Sequence, residues 1–251
     1  MQKIWQYLGA SALLLLTLPQ WAQAAVTIDR TRVIYEGDMK SVSLNLSNDN
    51  KELPFLAQSW LENAQGQKIT APLVALPPLQ RLEPGSKSVV RVTATPEVNA
   101  LPQDRESLFY FNVREIPPKS DQPNVLQLAL HTKVKLFYRP QSIVLDKSVV
   151  WQQRVTFKKS GNQLTVENPT AFHIVMTGLA SDYRARGGKE LAGFSGTMMA
   201  PFSTEQIQLR SAAPSSFVLS YINDYGGHPE LKFVCDGSEQ CVAKVDDDQT
   251  N

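Results

Sequence analysis

The sequence predicts an all-β protein made of two immunoglobulin-like β-sandwich domains, and three observations support this fold class. Short runs of alternating apolar and polar residues recur along the chain, from VTIDR near Val26 and SVSLNLS near Val42 onward. Turn sequences rich in Gly, Pro and Asn separate these runs, and no window shows sustained helical periodicity. There are about fourteen such runs, roughly two sets of the seven strands of an immunoglobulin sandwich.

The first element, residues 1–24, is predicted to be a secretory signal peptide. Lys3 gives it a positive start, Leu8 to Leu18 form an apolar core, and Ala22-Gln23-Ala24 form a small-residue cleavage site. A short transmembrane helix is the alternative, but the apolar run falls below the ~20 residues that a membrane span needs. The mature chain is therefore expected to begin at Ala25 and to be exported, with no membrane insertion.

The mature chain is expected to carry almost no net charge. Residues 1–24 contain one Lys and no acid, which leaves 24 basic residues against 24 acidic ones. A nucleic-acid-binding protein normally has a basic excess, so nucleic acid is not an expected partner.

The sequence shows no pattern typical of a metal site, a cofactor site or an enzyme. Cys235 and Cys241 are the only cysteines, and in an exported chain they are expected to form one disulfide. His131, His173 and His228 are scattered singly, whereas a zinc site needs about four nitrogen or sulfur ligands. Nucleophile-elbow, zinc-protease and nucleotide-binding motifs are absent. Spacing alone does not exclude a Ser-His-acid triad, because its members are distant in sequence.

The strand series divides into two domains at a linker that follows Arg139-Pro140. The first domain is predicted to occupy residues 25–143 and the second residues 144–245, because proline cannot donate to a strand ladder and so ends the preceding strand. The acidic tail, residues 246–251, is expected to be disordered.

Two stretches have no clear strand pattern. Ala71 to Leu79 is apolar but interrupted by proline, which favours an edge segment or an extended loop. Ser181 to Ala200 contains four glycines and is predicted to be a flexible hairpin connection.

The last run of the first domain is unusually long. From Leu126 to Leu136, every even position except Thr132 is aliphatic, which predicts a half-buried strand. A strand from Val125 to Tyr138 would span about 45 Å, although most strands contain only about 5–6 residues. A single domain does not need a strand of this length.

The sequence resembles the periplasmic chaperones of the chaperone–usher pathway, which assemble pili. The longest shared motif is LPQDRESLFYFNVREIP from Leu101 to Pro117, and DRTR, LSNDN, QRLEPG, ENPT and SYINDYGG are also similar. The resemblance implies two immunoglobulin-like domains in an L or boomerang arrangement with a cleft between them. It also implies a location in the periplasm and no catalysis.

The resemblance implies a mechanism called donor-strand complementation. A pilus subunit lacks its last strand, and the chaperone lends it the final strand of its own first domain. The implied groove-filling residues are Leu126, Leu128 and Leu130. Without the resemblance, these leucines would be assigned to the core of their own domain.

The resemblance further implies two sets of charged residues. Arg32 and Lys135 are the implied anchor for the C-terminal carboxylate of the subunit, although Arg30 and Lys133 are neighbours of the same type and the pattern alone does not choose between them. The implied charge network between the domains contains Glu106, Arg139 and Asp224.

The implied partners are pilus subunits, one per chaperone, and an outer-membrane usher that receives them. A self-capping dimer is a further expectation, because a long aliphatic edge is prone to aggregation. The short loop from Ile116 to Asn124 resembles that of chaperones serving rod-like pili. A pilus structural subunit or adhesin is the alternative function, and an exported enzyme on a β-sandwich scaffold is a third.

Overall fold

The computed structural model describes residues 25–120 and 124–244. The predicted signal peptide at residues 1–24 and the predicted tail at residues 246–251 lie outside the described residues. Part of the short loop before the long aliphatic run, residues 121–123, also lies outside them.

The described residues form an almost entirely β structure. The strands are β1 (Val26–Ile28), β2 (Arg32–Glu36), β3 (Ser41–Asn48), β4 (Phe55–Asn63), β5 (Lys68–Ile69), β6 (Leu73–Leu76), β7 (Leu79–Leu82), β8 (Lys87–Ala94), β9 (Ser107–Ile116), β10 (His131–Arg139), β11 (Thr156–Ser160), β12 (Gln163–Asn168), β13 (Ile174–Ala180), β14 (Thr197–Met199), β15 (Ser203–Gln208), β16 (Ser216–Ile222), β17 (Glu230–Cys235) and β18 (Gln240–Lys244). Short 3-10 helices occupy Pro96–Ala100, Gln141–Ile143, Trp151–Arg154 and Arg184–Arg186.

None of the helices in the described ranges has the length and apolar character of a membrane span.

Two sheets form the first sandwich. One has the strand order β1-β3-β8-β6, and the other has the order β2-β10-β9-β4-β5, with β7 also paired to β4. Along β3 the side chains of Val42, Leu44 and Leu46 are buried while the residues between them are more exposed, which is the period-two pattern of a strand with one core-facing side. Phe111 and Leu136 from the second sheet belong to the same core.

The second sandwich is a single hydrogen-bonded path of eight strands, in the order β14-β13-β16-β17-β18-β11-β12-β15. Its core contains Phe157, Phe217 and Phe233, whose ring centroids lie 4.8 to 5.7 Å apart. Residues from both halves of the path share this core, so the sheet folds over on itself. The disulfide between Cys235 and Cys241 joins β17 to β18.

The two stretches without a clear strand pattern differ in structure. Ala71 to Leu79 contains β6, which is the edge strand of the four-stranded sheet, and it ends at the first residue of β7. Ser181 to Ala200 contains one 3-10 helix, β14 and an isolated bridge from Glu190 to Ala180. The strand total of eighteen in the described residues exceeds the roughly fourteen runs of the sequence, because two-residue and three-residue strands such as β5 and β14 are too short to show a period.

The predicted strand from Val125 to Tyr138 is wrong over its first half. β10 begins at His131, which pairs with Arg114 of β9, and residues 125–130 belong to no strand. The alternating sequence pattern reports which side chains are apolar, but it does not report whether the backbone has a strand to pair with. A strand also requires a neighbouring backbone, and within the described residues neither β2 nor β9 extends far enough to pair with Val125 to Leu128.

Candidate functional site

Among the residues that the structure describes, the most exposed apolar segment precedes β10. The side chains of Leu126, Leu128 and Leu130 are 84%, 68% and 46% exposed, and Val125 is also exposed. The Gln127 side chain donates a hydrogen bond to the Pro118 carbonyl at 2.6 Å. We call residues 125–130 the aliphatic segment. It carries the alternating leucines of a strand, but only Leu130, at its end, is hydrogen-bonded to the neighbouring strand β9.

The two basic residues implied as an anchor lie side by side. β2 and β10 pair in parallel, and Arg32 is the register partner of Lys135. Arg32 is only 8% exposed, and its Nη1 donates to the Ile222 carbonyl at 3.0 Å. Its Nε is buried and has no hydrogen-bond partner among the described residues. Lys135 is half-buried and forms no ion pair within the described part of the chain.

Burial disfavours the charged form of Arg32. It lowers the pKa of the Arg32 guanidinium below the ordinary arginine value, and the attraction of Asp224 and Glu106 offsets this only in part. Because Arg32 is buried, its positive charge is largely desolvated. Neither carboxylate contacts Arg32, and not all of its N–H donors have an acceptor.

The two competing basic residues are already paired. The Arg30 guanidinium donates two hydrogen bonds of 2.9 Å to the Asp29 carboxylate. The Nζ of Lys133 lies 2.6 Å from the Oε2 of Glu62. Sequence pattern did not distinguish these residues from Arg32 and Lys135, but the structure does, because each of the competitors has its own carboxylate.

A charge network joins the two sandwiches and contains the three residues that the sequence resemblance implies. Arg139, at the end of β10, contacts Glu106 Oε1 through Nη2 at 2.8 Å and Asp224 Oδ2 through Nη1 at 3.0 Å. Burial acts to lower the pKa of Arg139, but the attraction of Glu106 and Asp224 outweighs it and the pKa is raised. Glu106 Oε2 also accepts the backbone N–H of His173 at 2.7 Å.

A close backbone approach brings the second sandwich against the first. The SYINDYGG turn follows β16, and Gly226 within it has φ +83°. A Cβ at Gly226 would lie 2.5 Å from the hydroxyl oxygen of Thr31 in the DRTR segment. Glycine is therefore required both for the backbone conformation and for the contact.

A cleft of about 470 Å³ lies between the sandwiches. Arg32 and Ile34 of β2 line one wall, and Trp151, Tyr221 and Tyr225 line the other. Burial, followed by repulsion from Asp224, raises the pKa of Tyr221 to about 12, so this side chain is neutral at physiological pH. Lys135 is not one of the described residues that line the cleft, and it lies beside the cleft next to Arg32.

Sequence reasoning missed several residues of this region. Trp151 and Tyr221 line the cleft, and the Ile222 carbonyl and His173 bind charged side chains from the other sandwich. The SYINDYGG motif could have drawn attention to Tyr221 and Ile222. His173 has no comparable local signal, because only the packing of the two sandwiches brings it to Glu106.

Within residues 25–120 and 124–244, no group of three or more His, Cys, Asp or Glu side chains could hold a metal ion.

Two family models match the chain. Residues 25–144 match the N-terminal domain of the pili and flagellar-assembly chaperone PapD, and residues 150–233 match the C-terminal domain of the pili assembly chaperone PapD. The chain belongs to the PapD family of pilus-assembly chaperones. This finding confirms both the resemblance of the motifs and the two-domain immunoglobulin-like fold.

Individual PapD-family members are similar over nearly their whole length. The chaperone PmfD of Proteus mirabilis is 50% identical over 240 residues, covering 95% of this chain and 94% of its own. The chaperone PapD of Escherichia coli is 50% identical over 225 residues, covering 89% and 92%.

Solved structures of the family have the same architecture. The periplasmic chaperone SfaE aligns with a TM-score of 0.65 and 31% identity, covering 82% of this chain and 98% of its own. A chain in the complex of Salmonella enterica SafA pilin with the SafB chaperone aligns with a TM-score of 0.70 and 27% identity, covering 86% and 98%.

Proposed function

We propose that this protein is a periplasmic chaperone that captures pilus subunits by donor-strand complementation, one subunit per chaperone. The observation that carries the proposal is the aliphatic segment, which leads directly into β10 and exposes three alternating leucines. An incomplete subunit sandwich would supply the neighbouring backbone that this segment lacks. The segment would then become a strand by edge addition.

The energetics favour this use of the segment. Burying each leucine in a subunit groove would contribute about 1.5–3 kcal/mol. Backbone hydrogen bonds on both sides of the segment would further stabilise the complex, and they would not depend on the sequence of the subunit. The exposed leucines belong to neither hydrophobic core of the free chaperone, so moving them into a subunit groove would remove no core packing.

Arg32 and Lys135 would fix the register of the captured subunit. A C-terminal carboxylate has two oxygens, which can accept hydrogen bonds from a guanidinium and an ammonium together. Because Arg32 Nε is buried without an acceptor, a carboxylate at this place would satisfy it. Since the two residues are register partners on adjacent strands, one carboxylate could reach both.

The network of Glu106, Arg139 and Asp224 would hold the orientation of the two domains. Its members come from β10, from the residue before β9 and from the turn after β16. Buried ion pairs add little net stability, but their geometry specifies one arrangement of the parts they connect. The cleft beside Arg32 depends on that arrangement.

Export and delivery complete the proposal. Removal of residues 1–24 as a signal peptide would release the mature chain, starting at Ala25, into the periplasm. The loaded chaperone would pass its subunit to an outer-membrane usher. Without a subunit, a second copy of the chaperone could cover the aliphatic segment, since exposed strand-like edges tend to associate.

Co-purification of a pilus subunit tests this function. The wild-type chaperone should leave the periplasm in a one-to-one complex with a co-expressed subunit, and Lys135→Ala should reduce recovery at least about tenfold, as expected for losing a charge-assisted hydrogen bond of roughly 1.5–3 kcal/mol. Lys133→Ala is the matched control on the same strand, because Lys133 already has Glu62 as its partner.

Each outcome of that experiment has a definite meaning. If Lys135→Ala recovers as much subunit as the wild type, the anchor assignment is wrong. If the wild type captures no subunit, the proposed function itself is wrong. Equal losses for Lys133→Ala and Lys135→Ala would show a general charge effect without a specific anchor.

A further inference from the structure

Glu115 is a buried carboxylate that the proposed capture mechanism does not use. It lies on β9 and is 5% exposed. Its Oε2 accepts the backbone N–H groups of Ala25 and Val26, both at 2.9 Å. Among the described residues, no Lys, Arg or His side chain lies within ion-pair distance of Glu115. The Glu115 carboxylate is therefore hydrogen-bonded to neutral backbone groups, at the place where β9 of one sheet meets β1 of the other.

Ala25 is held at both of its backbone polar atoms. Its nitrogen binds Glu115, and its carbonyl oxygen accepts the backbone N–H of Asp49 at 2.7 Å. Ala25 is 8% exposed, so its nitrogen lies largely within the fold. Ala25 is the first residue of the mature chain if cleavage follows Ala24.

We propose that Glu115 is the binding site for the α-ammonium group that signal-peptide cleavage creates at Ala25. Cleavage converts a neutral amide nitrogen into a charged group with three protons. Burying either an ammonium or a carboxylate alone is costly, whereas a hydrogen-bonded pair of the two offsets much of that cost. The inference rests on the cleavage position given under the proposed function.

The same carboxylate also reaches the base of the aliphatic segment. Glu115 Oε1 accepts the backbone N–H of Leu130 at 3.3 Å, and the Glu115 backbone N–H donates to the Leu130 carbonyl at 3.0 Å. Leu130 is the residue directly before β10. Glu115 is thus a positioning residue that links the processed N-terminus to the point where the aliphatic segment leaves the sheet.

The test uses the free mature protein with two different N-termini. One form begins at Ala25 and the other carries one additional glycine before Ala25. Each is made with native Glu115, with Glu115→Gln and with the control Glu52→Gln, which removes the same charge at an exposed position. The extra glycine should lower the melting temperature by about 3 °C in the native and Glu52→Gln proteins, and by much less in Glu115→Gln.

A second readout separates the ion pair from general packing. Titration of the Ala25 α-ammonium, followed by NMR with nitrogen-15 alanine, should give a pKa about one unit above the ordinary value of ~7.7–8.0. In Glu115→Gln the pKa should return to the ordinary range. If Glu115→Gln does not fold, the titration of the wild-type protein alone still decides the question.

Three results would overturn the inference. The first is an equal glycine effect with and without Glu115, and the second is an ordinary α-ammonium pKa in the wild type. The third is a mass of the exported protein that does not correspond to a start at Ala25. None of these measurements involves a subunit, so failure here is distinguishable from failure of subunit capture.

Discussion

Arg32 carries a buried positive charge whose hydrogen-bond acceptor is a neutral carbonyl group, that of Ile222. Arginine is usually buried only with an anionic partner, because the guanidinium has five N–H donors to satisfy and its desolvation is costly. At this position a charge without an ionic partner costs the free protein stability, and in our proposal the carboxylate of a captured subunit supplies that partner.

Replacement of Arg32 by methionine should therefore separate stability from binding. We expect Arg32→Met to unfold at the same or a higher urea concentration than the wild type, because a buried charge without an ionic partner is removed. Capture of a co-expressed subunit should fall at least about tenfold, because a charge-assisted hydrogen bond is lost.

Arg30→Met is the matched control for this experiment. Arg30 is paired with Asp29 at the surface of the same region, and exposed pairs of this kind contribute about 0–1 kcal/mol. It should change neither capture nor stability by much. A large loss of stability in Arg32→Met would show that Arg32 is a structural residue of the free chaperone.

At the scale of the element, the run from Asn124 to Pro140 has two parts with different surroundings. Val134 and Leu136 of β10 are buried in the first core. Leu126, Leu128 and Leu130 of the aliphatic segment face solvent. The same alternating pattern therefore serves the fold of this protein in one half, and in our proposal the fold of a subunit in the other.

Two leucine substitutions should show this division. Leu128→Glu should block subunit capture and leave the unfolding free energy within about 0.5 kcal/mol of the wild type, because this side chain is exposed in the free protein. Leu136→Ala should lower the unfolding free energy by about 2–5 kcal/mol, because the truncation leaves a cavity in the core.

Urea denaturation and co-purification measure both effects. If Leu128→Glu unfolds the free chaperone, Leu128 belongs to the core of this protein and is not available for lending. If Leu128→Glu captures subunit normally, another element fills the subunit groove.

At the scale of the whole molecule, hydrogen bonds, ion pairs and ring contacts join the two domains. Arg139 lies between Glu106 and Asp224, and its guanidinium also stacks on Phe172 at 4.7 Å from the ring centroid. Because Glu106 is buried together with Arg139, removing one partner leaves the other charge without compensation.

Arg139→Met should lower the unfolding free energy by about 3–5 kcal/mol, since Glu106 would remain buried without its ionic partner. The double variant Glu106→Gln/Arg139→Met should recover much of this loss, because the one remaining carboxylate that loses Arg139, that of Asp224, is partly exposed to solvent. If the network specifies domain orientation, the double variant should still capture subunit poorly and show an altered small-angle X-ray scattering profile.

The contrary result is equally clear. A double variant that is stable and also captures subunit at the wild-type level would show that the network is dispensable for function. In that case other contacts, such as the approach of Gly226 to Thr31, would set the orientation of the domains.

The sequence alone predicted the fold class, the disulfide and the family. Period-two alternation, Gly and Pro turns and two cysteines are local features, and each of them fixes a local structural outcome. The exposure of Leu126 to Leu130 was not a local property, since identical alternation continues into the buried half of the run.

Only the tertiary structure distinguished Arg32 from Arg30, and Lys135 from Lys133. Residues of the same type at neighbouring same-parity positions have similar local sequence environments. The distant carboxylate of Glu62 separates Lys133 from Lys135, and burial of Arg32 against the Ile222 carbonyl of the second sandwich separates it from Arg30. The contacts of Glu115 with Ala25 and Leu130 join positions 90 and 15 residues apart. Burial, pairing and desolvation depend on such long-range approaches, and sequence periodicity contains no information about them.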